Sequence, residues 1–464
     1  MVKEGMEKDK MEKIVSLCKR RGFVFQGSEI YGGLKGTWDY GPLGVSLVNN
    51  IKREWWKMFV EDREDMHGVN AAILMNPKVW EASGHMGAGF ADPMVEDLKN
   101  HKRYRADHLL EENGIEDAES LSESEMTSII KEKDIKSPDG NELSEVRKFN
   151  MMFETKVGSV EDTASTVYIR PETAQGMFVN FKNVLDSMSP KVPFGLAQVG
   201  KAFRNEITPR DFIFRLRELE QMEIEYFIKE EDWEMQFEYW HGEMKKWMEH
   251  IGIPETSIHE LEVPEADRAH YSKRTVDFEF TFPFGTKELY GLAYRTDHDL
   301  KSHMKASGVS MEYIEPDGSR FIPHVIEPTF GVERTVLAVL LSAYTEDEMN
   351  GEVRTYLKLP KHMAPYRVAV SPLLKNKPAL VEKAREVFKL LKKDFGNVAY
   401  DDNGNIGKRY RRQDEIGTPA CIVIDFETLG EEKPELKDTV TVRDRDTGEQ
   451  TRVKIEDLVE YLQK

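Results

Sequence analysis

Between residues 42 and 59 apolar side chains recur every three or four positions (Val45, Val48, Ile51, Trp55, Phe59), which predicts an amphipathic helix with one broad buried face. Pro42 suits its first turn, where a missing N–H costs no hydrogen bond. A shorter helix is predicted over 10–21, with Ile14, Val15 and Leu17 inward and Gly22 ending it. A strand over 69–74 stops at Asn76-Pro77. Beyond residue 170, Ala174, Met177, Phe178, Phe181 and Leu185 share a helix face. Then 213–228 alternates, with Phe214, Leu216, Met222, Ile224 and Tyr226 on one side and Arg215, Arg217, Leu219, Gln221 and Glu223 on the other. With 195–204 this makes a hairpin around a loop at Pro209. Strands over 275–282 and 288–293, a helical region over 231–250, and an extended segment carrying Val325, Glu327 and Thr329 on one face complete the region. Few strands alternate with helices here, so the expectation is an α+β domain, a mainly antiparallel sheet flanked by helices.

Two stretches differ. Residues 94–153 are acidic, rich in Ser and Glu and poor in aromatics, and read as an inserted helical subdomain. From 363 onward strands at 366–371, 397–401 and 420–426 alternate with helices, which predicts a small α/β domain. The predicted division is therefore 1–93 and 154–350 for the main domain, 94–153 for the insert, 351–362 as linker and 363–464 for the C-terminal domain.

Charge changes the picture in one respect. With 84 acidic against 65 basic residues, the net charge of −19 argues against an indiscriminate nucleic-acid binder. Phosphate contacts depend on local patches, and two basic runs stand out: Lys408, Arg409, Arg411 and Arg412, and Lys99, His101, Lys102, Arg103 and Arg105. Each run also fits a solvated helix face. Cys18 and Cys421 indicate neither a disulfide framework nor a cysteine-based zinc site, and the simplest compartment is the reducing cytoplasm. The N-terminus has no apolar core for a signal sequence, and no apolar run is long enough for a membrane span.

The candidate chemistry lies on the hairpin. Burying a row of charges on a central strand is costly unless they are paired or bind something, so the polar face of 213–228 reads as the floor of a site for a ligand with phosphates and a cationic group. A surface hairpin decorated with salt bridges is the plain alternative. No GxxxxGK[ST] phosphate loop is present.

FRNE, a loop and RLREL (203–219) resemble motif 2 of class II aminoacyl-tRNA synthetases, and IEPTFGVERTVLAVL (326–340) resembles motif 3. The helix, strand and proline at 42–77 are similar to motif 1, which forms the dimer interface in that class. RPETAQGMFVNFKNVL (170–185) and GLAYRTDHDLKSH (291–303) narrow the resemblance to glycyl-tRNA synthetases of the homodimeric type, and GNIGKRYRRQDEIGTPACIVI resembles their anticodon-binding domain. The resemblance implies ATP with Mg2+, glycine and tRNA-Gly as partners, and a homodimer. It gives Arg204 the α-phosphate and the substrate carboxylate, Arg334 the γ-phosphate and Glu206 the adenine amino group, with Arg215 and Leu219 completing the ATP site. Glu172, Glu223 and Glu327 match the acidic residues around glycine, Arg295 the cation beside them, and Thr329 a hydroxyl that is usually Ser. The basic run at 408–412 matches a tRNA contact. Leu219 stands where the family has a Phe stacking on adenine, a loss of roughly 1 kcal/mol. Asp97 and Asn100 stand where many members carry a Cys-x-x-Cys pair, so no side chain is assigned to a metal. Reuse of the fold as a non-catalytic binding module, or a class II synthetase for another small amino acid, are the alternative readings.

Overall fold

The computed structural model describes residues 2–87, 91–115, 118, 121–158, 166–269, 271–349, 351–431 and 433–463. A seven-stranded sheet forms the centre. Its strands are β1 (Met66–Gly68), β2 (Phe194–Phe203), β3 (Glu218–Ile228), β4 (Ile258–Glu262), β5 (Arg274–Phe282), β6 (Gly285–Thr296) and β7 (His324–Gly331). They run in the order β4-β5-β6-β7-β3-β2-β1, antiparallel throughout except that β1 lies parallel to β2.

Helices cover both faces. Against one pack α1 (Val2–Arg21), α2 (Pro42–Trp56), α4 (Trp233–His250) and α6 (Val332–Ala343), enclosing Trp55, Phe59, Trp240, Trp247 and Phe330 in one large core. Phe59 sits 5.5 Å from Phe330 and 6.0 Å from Trp247, ring centre to ring centre, within the range of favourable aromatic pairs. Against the other face lie α3 (Ala174–Phe178) and α5 (His298–Ser307), where Ala174, Phe178 and Leu300 pack on Phe227 and Val325.

The predicted strand at 69–74 is displaced: pairing occurs at Met66–Gly68 and again at Leu74–Met75, which joins a separate three-stranded sheet, and Asn76 caps the next helix with its side chain. Val45 is exposed, because Leu43, Leu47, Val48, Ile51 and Trp55 define the buried face of α2. The helix predicted after 172 breaks at Val179-Asn180 into two. The insert carries its expected helices, Ala106–Glu112 and Glu123–Glu132, but also a three-stranded sheet of Ala91–Glu96, Arg103–Arg105 and Arg147–Asn150. Its own core of Val95, Leu110, Met126 and Val146 explains why an acidic stretch folds. Residues 116, 117, 119 and 120 of that stretch lie outside the described residues.

The C-terminal domain has the strands β8 (Val368–Pro372), β9 (Val398–Tyr400), β10 (Ala420–Ile424), β11 (Thr439–Asp444) and β12 (Gln450–Lys454), with helices α7 (Pro378–Phe395) and α8 (Ile406–Glu415). Three parallel strands, β9-β8-β10, continue into the antiparallel hairpin β11-β12. The expected linker is not a loose tether. Glu352–Leu357 pairs with Tyr344–Met349, and buried Arg354 binds Asp347 at 2.5 Å and, from α8, Asp414 at 3.3 Å. Arg20 of α1 reaches Glu415 at 2.7 Å. These ion pairs tie the C-terminal domain to the Tyr344–Leu357 hairpin and to α1.

Candidate active site

Alternation along β3 decides which residues meet the site. Met222, Ile224 and Tyr226 enter the aromatic core, so Gln221, Glu223 and Glu225 face the side covered by α3 and α5, and all three are buried. Glu223 lies opposite Thr329 of β7, whose hydroxyl donates to Oε1 at 3.1 Å. Thr173 donates to the other carboxylate oxygen, and Gln221 Nε2 stands 3.4 Å from Oε1.

Glu172 approaches from the turn before α3. Its Oε1 accepts from Gln175 at 3.2 Å, and its Oε2 lies 3.2 Å from His85 Nε2. Arg295, near the end of β6, is 1% exposed. Its Nη1 donates to both oxygens of Glu327, and its Nε and Nη2 donate to Asp299 of α5 at 2.8 and 2.9 Å. Tyr271 covers the guanidinium, 3.7 Å from Cζ to ring centre. Arg295, expected as the cation beside the acidic residues, thus stands beside Glu327 and is paired with it and with Asp299. Its charge is spent inside the protein, aligning Glu327.

The electrostatics follow from crowding. Burial opposes ionisation of Glu172, yet His85, Arg295 and Arg204 outweigh it and hold its carboxyl below the usual range. Burial and the charge of Glu172 push Glu223 upward, against the Thr173 and Thr329 hydroxyls and Arg295. Burial and the charges of Glu223 and Glu172 push Glu327 upward, against Arg295.

Next to this cage opens a cleft of about 300 Å³ lined by Arg204, Glu206, Arg215, Leu219, Glu288 and Arg334. Gln221 and Thr329 line it too, so cage and cleft share a wall. Arg204 is anchored by Nε donating to Pro171 O at 3.0 Å. Arg334, in the first turn of α6, donates to Glu288 O at 2.9 Å, pairs with the Glu288 carboxylate at 3.0 Å and lies 4.5 Å over the Phe214 ring. That pairing holds the Glu288 carboxyl below its usual range. The predicted strand starts late: β3 begins at Glu218, and 204–217 is a loop in which Asp211 and Phe212 adopt φ of +62° and +59°. Arg215 and Arg217 therefore project from a loop. Arg217 braces it through Glu206 O and Lys35 O, while Arg215 stands 4.0 Å from the Glu206 carboxylate.

Sequence reasoning missed Asp299, Gln175, His85 and Glu225. Glu225 was readable, because Gln221, Glu223 and Glu225 keep one period of two; Asp299 was not, because Arg295 lies at the end of a strand and Asp299 in the first turn of the helix that follows, so no single period joins them. His85 carried no signal, since only the tertiary fold brings it to Glu172.

A family profile described as the tRNA synthetase class II core domain (G, H, P, S and T) matches residues 153–344, and one for the anticodon binding domain matches 367–464. Among curated relatives, a glycine--tRNA ligase of Bacillus anthracis is 50% identical over 463 residues, covering 98% of each chain. One of Thermus thermophilus is 47% identical over 501 residues, covering 98% of this chain and 99% of the relative. This chain belongs to the glycine--tRNA ligase family.

In the basic run of α8 of this glycine--tRNA ligase, Arg409 is buried, Arg411 and Arg412 are partly exposed and paired, and Lys408 is exposed. Arg409 is 3% exposed and donates to Pro372 O, Asp402 O and Gly404 O, so it is withdrawn from any RNA phosphate. Arg412 grips Asp401 at 2.8 Å and Arg411 pairs with Glu352 at 2.6 Å. Lys408 alone of the four is fully exposed in character and projects from the first turn. The expected tRNA contact is thus corrected to a structural brace for Arg409, because a strand end and a turn need donors for three carbonyls there. The second run is likewise paired, Lys102 with Asp139 at 2.6 Å and Arg103 with Glu96 at 3.2 Å.

The insert of the ligase turns on Asp97. Its Oδ1 accepts from the backbone N–H groups of Lys99 and Asn100, and its Oδ2 from Ser137 and Asn141. These bonds close the loop. Across a small cleft lined by Arg105, His108 and Arg210 the insert borders the 204–217 loop.

Proposed function

We propose that the protein activates glycine with ATP to glycyl-adenylate and transfers the glycyl group to the 3′ end of tRNA-Gly. The observation that carries this reading is the shared wall: Gln221 and Thr329 belong both to the carboxylate cage and to the arginine-lined cleft. A cage of carboxylates suits an ammonium, and a cleft with Arg204 and Arg334 suits phosphates, since guanidinium is always charged and pairs with oxyanions. Glycine placed with its ammonium toward Glu172, Glu223 and Glu327 points its carboxylate into the cleft. There Arg204 draws the glycine carboxylate and the α-phosphate together, the carboxylate attacks phosphorus and pyrophosphate leaves. The attacking group is already ionised, so catalysis is placement and charge stabilisation. Arg334 holds the γ-phosphate, Glu206 meets the adenine amino group, and Arg215 and Leu219 flank the nucleotide. Glu288, a carboxylate beside Arg334 on the cleft wall, would offer an oxygen ligand to Mg2+, and the ion would add positive charge beside the triphosphate.

Rejection of larger amino acids needs only a wall. Any competitor adds at least a methyl, which must clash with a rigid wall around the glycine site. A homodimer is part of the proposal: Val45, Ile73 and Leu74 are exposed in the stretch that resembles motif 1, and Ile30, Tyr31 and Leu34 are exposed just before it. Among the described residues no helix is long and apolar enough to cross a membrane, and the two cysteines are free and buried, which suits a cytoplasmic location. Charging of purified tRNA-Gly with labelled glycine tests the whole reaction. Acid-stable attachment independent of ATP, or equal charging of tRNA-Ala, contradicts it.

A further inference from the structure

Glu225 has no place in the site as described, yet it is wholly buried beside it, and neither of its carboxyl oxygens has a hydrogen-bond partner among the described residues. The pairing on either side, Glu223 with Thr329 and Tyr226 with Ile326, carries Glu225 opposite Glu327 on β7. Ligand oxygens of Glu223, Glu225 and Glu327 all lie within 4.8 Å of one another. Like charges directly opposite across two strands repel, and a buried carboxylate without a donor bears its full desolvation cost. The other charges facing it are Arg295 from β6, already divided between Glu327 and Asp299, and Asp299 itself from α5. Glu172, from the turn before α3, adds a further negative charge to the same cage. His85 and Arg204 act on Glu172, which leaves Arg295 as the cation facing Glu223, Glu225, Glu327 and Asp299, and one cation cannot neutralise those four.

We propose that Glu225 is the proton-holding residue of the glycine pocket: it keeps a proton while the pocket is empty, directed toward Glu327, and gives it up to solvent when the ammonium of glycine enters. The proposal rests on the reading that the ammonium lies among Glu172, Glu223 and Glu327. Glu327 has Arg295 as its donor and Glu225 has none, so the proton rests on Glu225. On binding, the carboxyl O–H breaks, the electron pair stays on the carboxylate and the ammonium keeps its three protons. The pocket gains one positive and one negative charge together. Glu225 is thus a positioning residue, acting on glycine through Glu327 and Glu223. Burial and the charge of Glu327 hold its carboxyl well above the usual range, so the proton is present at neutral pH. Glycine affinity then rises with pH until the pair has lost its proton unaided.

Calorimetry tests this on the full-length protein with a non-hydrolysable glycyl-adenylate sulfamate and its desamino counterpart, each titrated at about pH 7 in buffers of different ionisation heat. The expected result is release of roughly half to one proton with the amino compound and none with the desamino compound. In Glu225→Gln, which keeps the size and carries no titrating proton, release disappears and the pH dependence of glycine KM flattens while that of ATP is unmoved. Equal heats in all buffers for the unaltered protein overturn the proposal, without any variant. Release that persists in a folded Glu225→Gln protein overturns it too, by assigning the proton elsewhere. Equal affinity for the two compounds overturns the underlying placement of the ammonium, and the proposal with it.

Discussion

Arg295 donates through Nη1 to both carboxylate oxygens of Glu327, at 2.9 and 3.0 Å, while its remaining edge binds Asp299. The cation is thus the keystone of the acidic cage. Arg295→Gln leaves two buried carboxylates without a counter-charge, and breaking such a pair costs ~3–5 kcal/mol. Urea unfolding should show a loss of that size, together with a raised KM for glycine. Unchanged stability would mean that the carboxylates find other partners.

Thr329 supplies Glu223 with a hydroxyl donor. Thr329→Val keeps the shape and removes the donor; a hydrogen bond to a charged group contributes about 1.5–3 kcal/mol, so KM for glycine should rise roughly tenfold to a hundredfold. Thr329→Ser keeps the bond and should stay near the parent. If Val and Ser variants behave alike in steady-state kinetics, the hydroxyl has no such role.

Arg409 satisfies three backbone carbonyls inside the C-terminal domain. Arg409→Gln should therefore lower the domain's melting temperature, since each unsatisfied buried group costs ~1–3 kcal/mol, and leave the salt dependence of tRNA binding as it was. A shallower salt slope with unchanged melting would restore the RNA contact.

Period-two alternation placed Glu223, Gln221, Glu327 and Thr329 on one face, and the structure shows them there, the first three buried and Thr329 half-buried, because the sheet's pleat enforces that period. The strand's start was misread at 213 because the same alternation runs on through Phe214, Arg215 and Leu216, whereas two left-handed residues at 211 and 212 take the chain off the sheet. Charge runs misled for a related reason: the four basic residues of α8 are adjacent in sequence, but their partners Asp401, Glu352 and Pro372 come from elsewhere. Tertiary pairing of that kind, like His85 with Glu172, leaves no periodic trace.

Asp97 accepts four hydrogen bonds, which outweigh its desolvation and hold its carboxyl below the usual range. A depressed carboxyl contributes stability above its unfolded pKa of about 3.9 and loses that contribution as pH falls further. Hydrogen exchange at the Lys99 and Asn100 amides should thus stay slow through neutral pH and accelerate beyond the intrinsic trend below about pH 4. In Asp97→Asn the protection should be weak at every pH. Protection independent of both pH and the substitution would detach the turn from Asp97.

Glycine-dependent ATP–pyrophosphate exchange, run with glycine, alanine and serine in parallel, tests the central claim that the carboxylate cage and the arginine cleft together activate the smallest amino acid. Exchange with glycine alone is the expected result, falling sharply in Glu223→Ala through the KM for glycine with that for ATP little changed. Exchange with alanine at the same efficiency, or no exchange with any of the three from a folded protein, would contradict it.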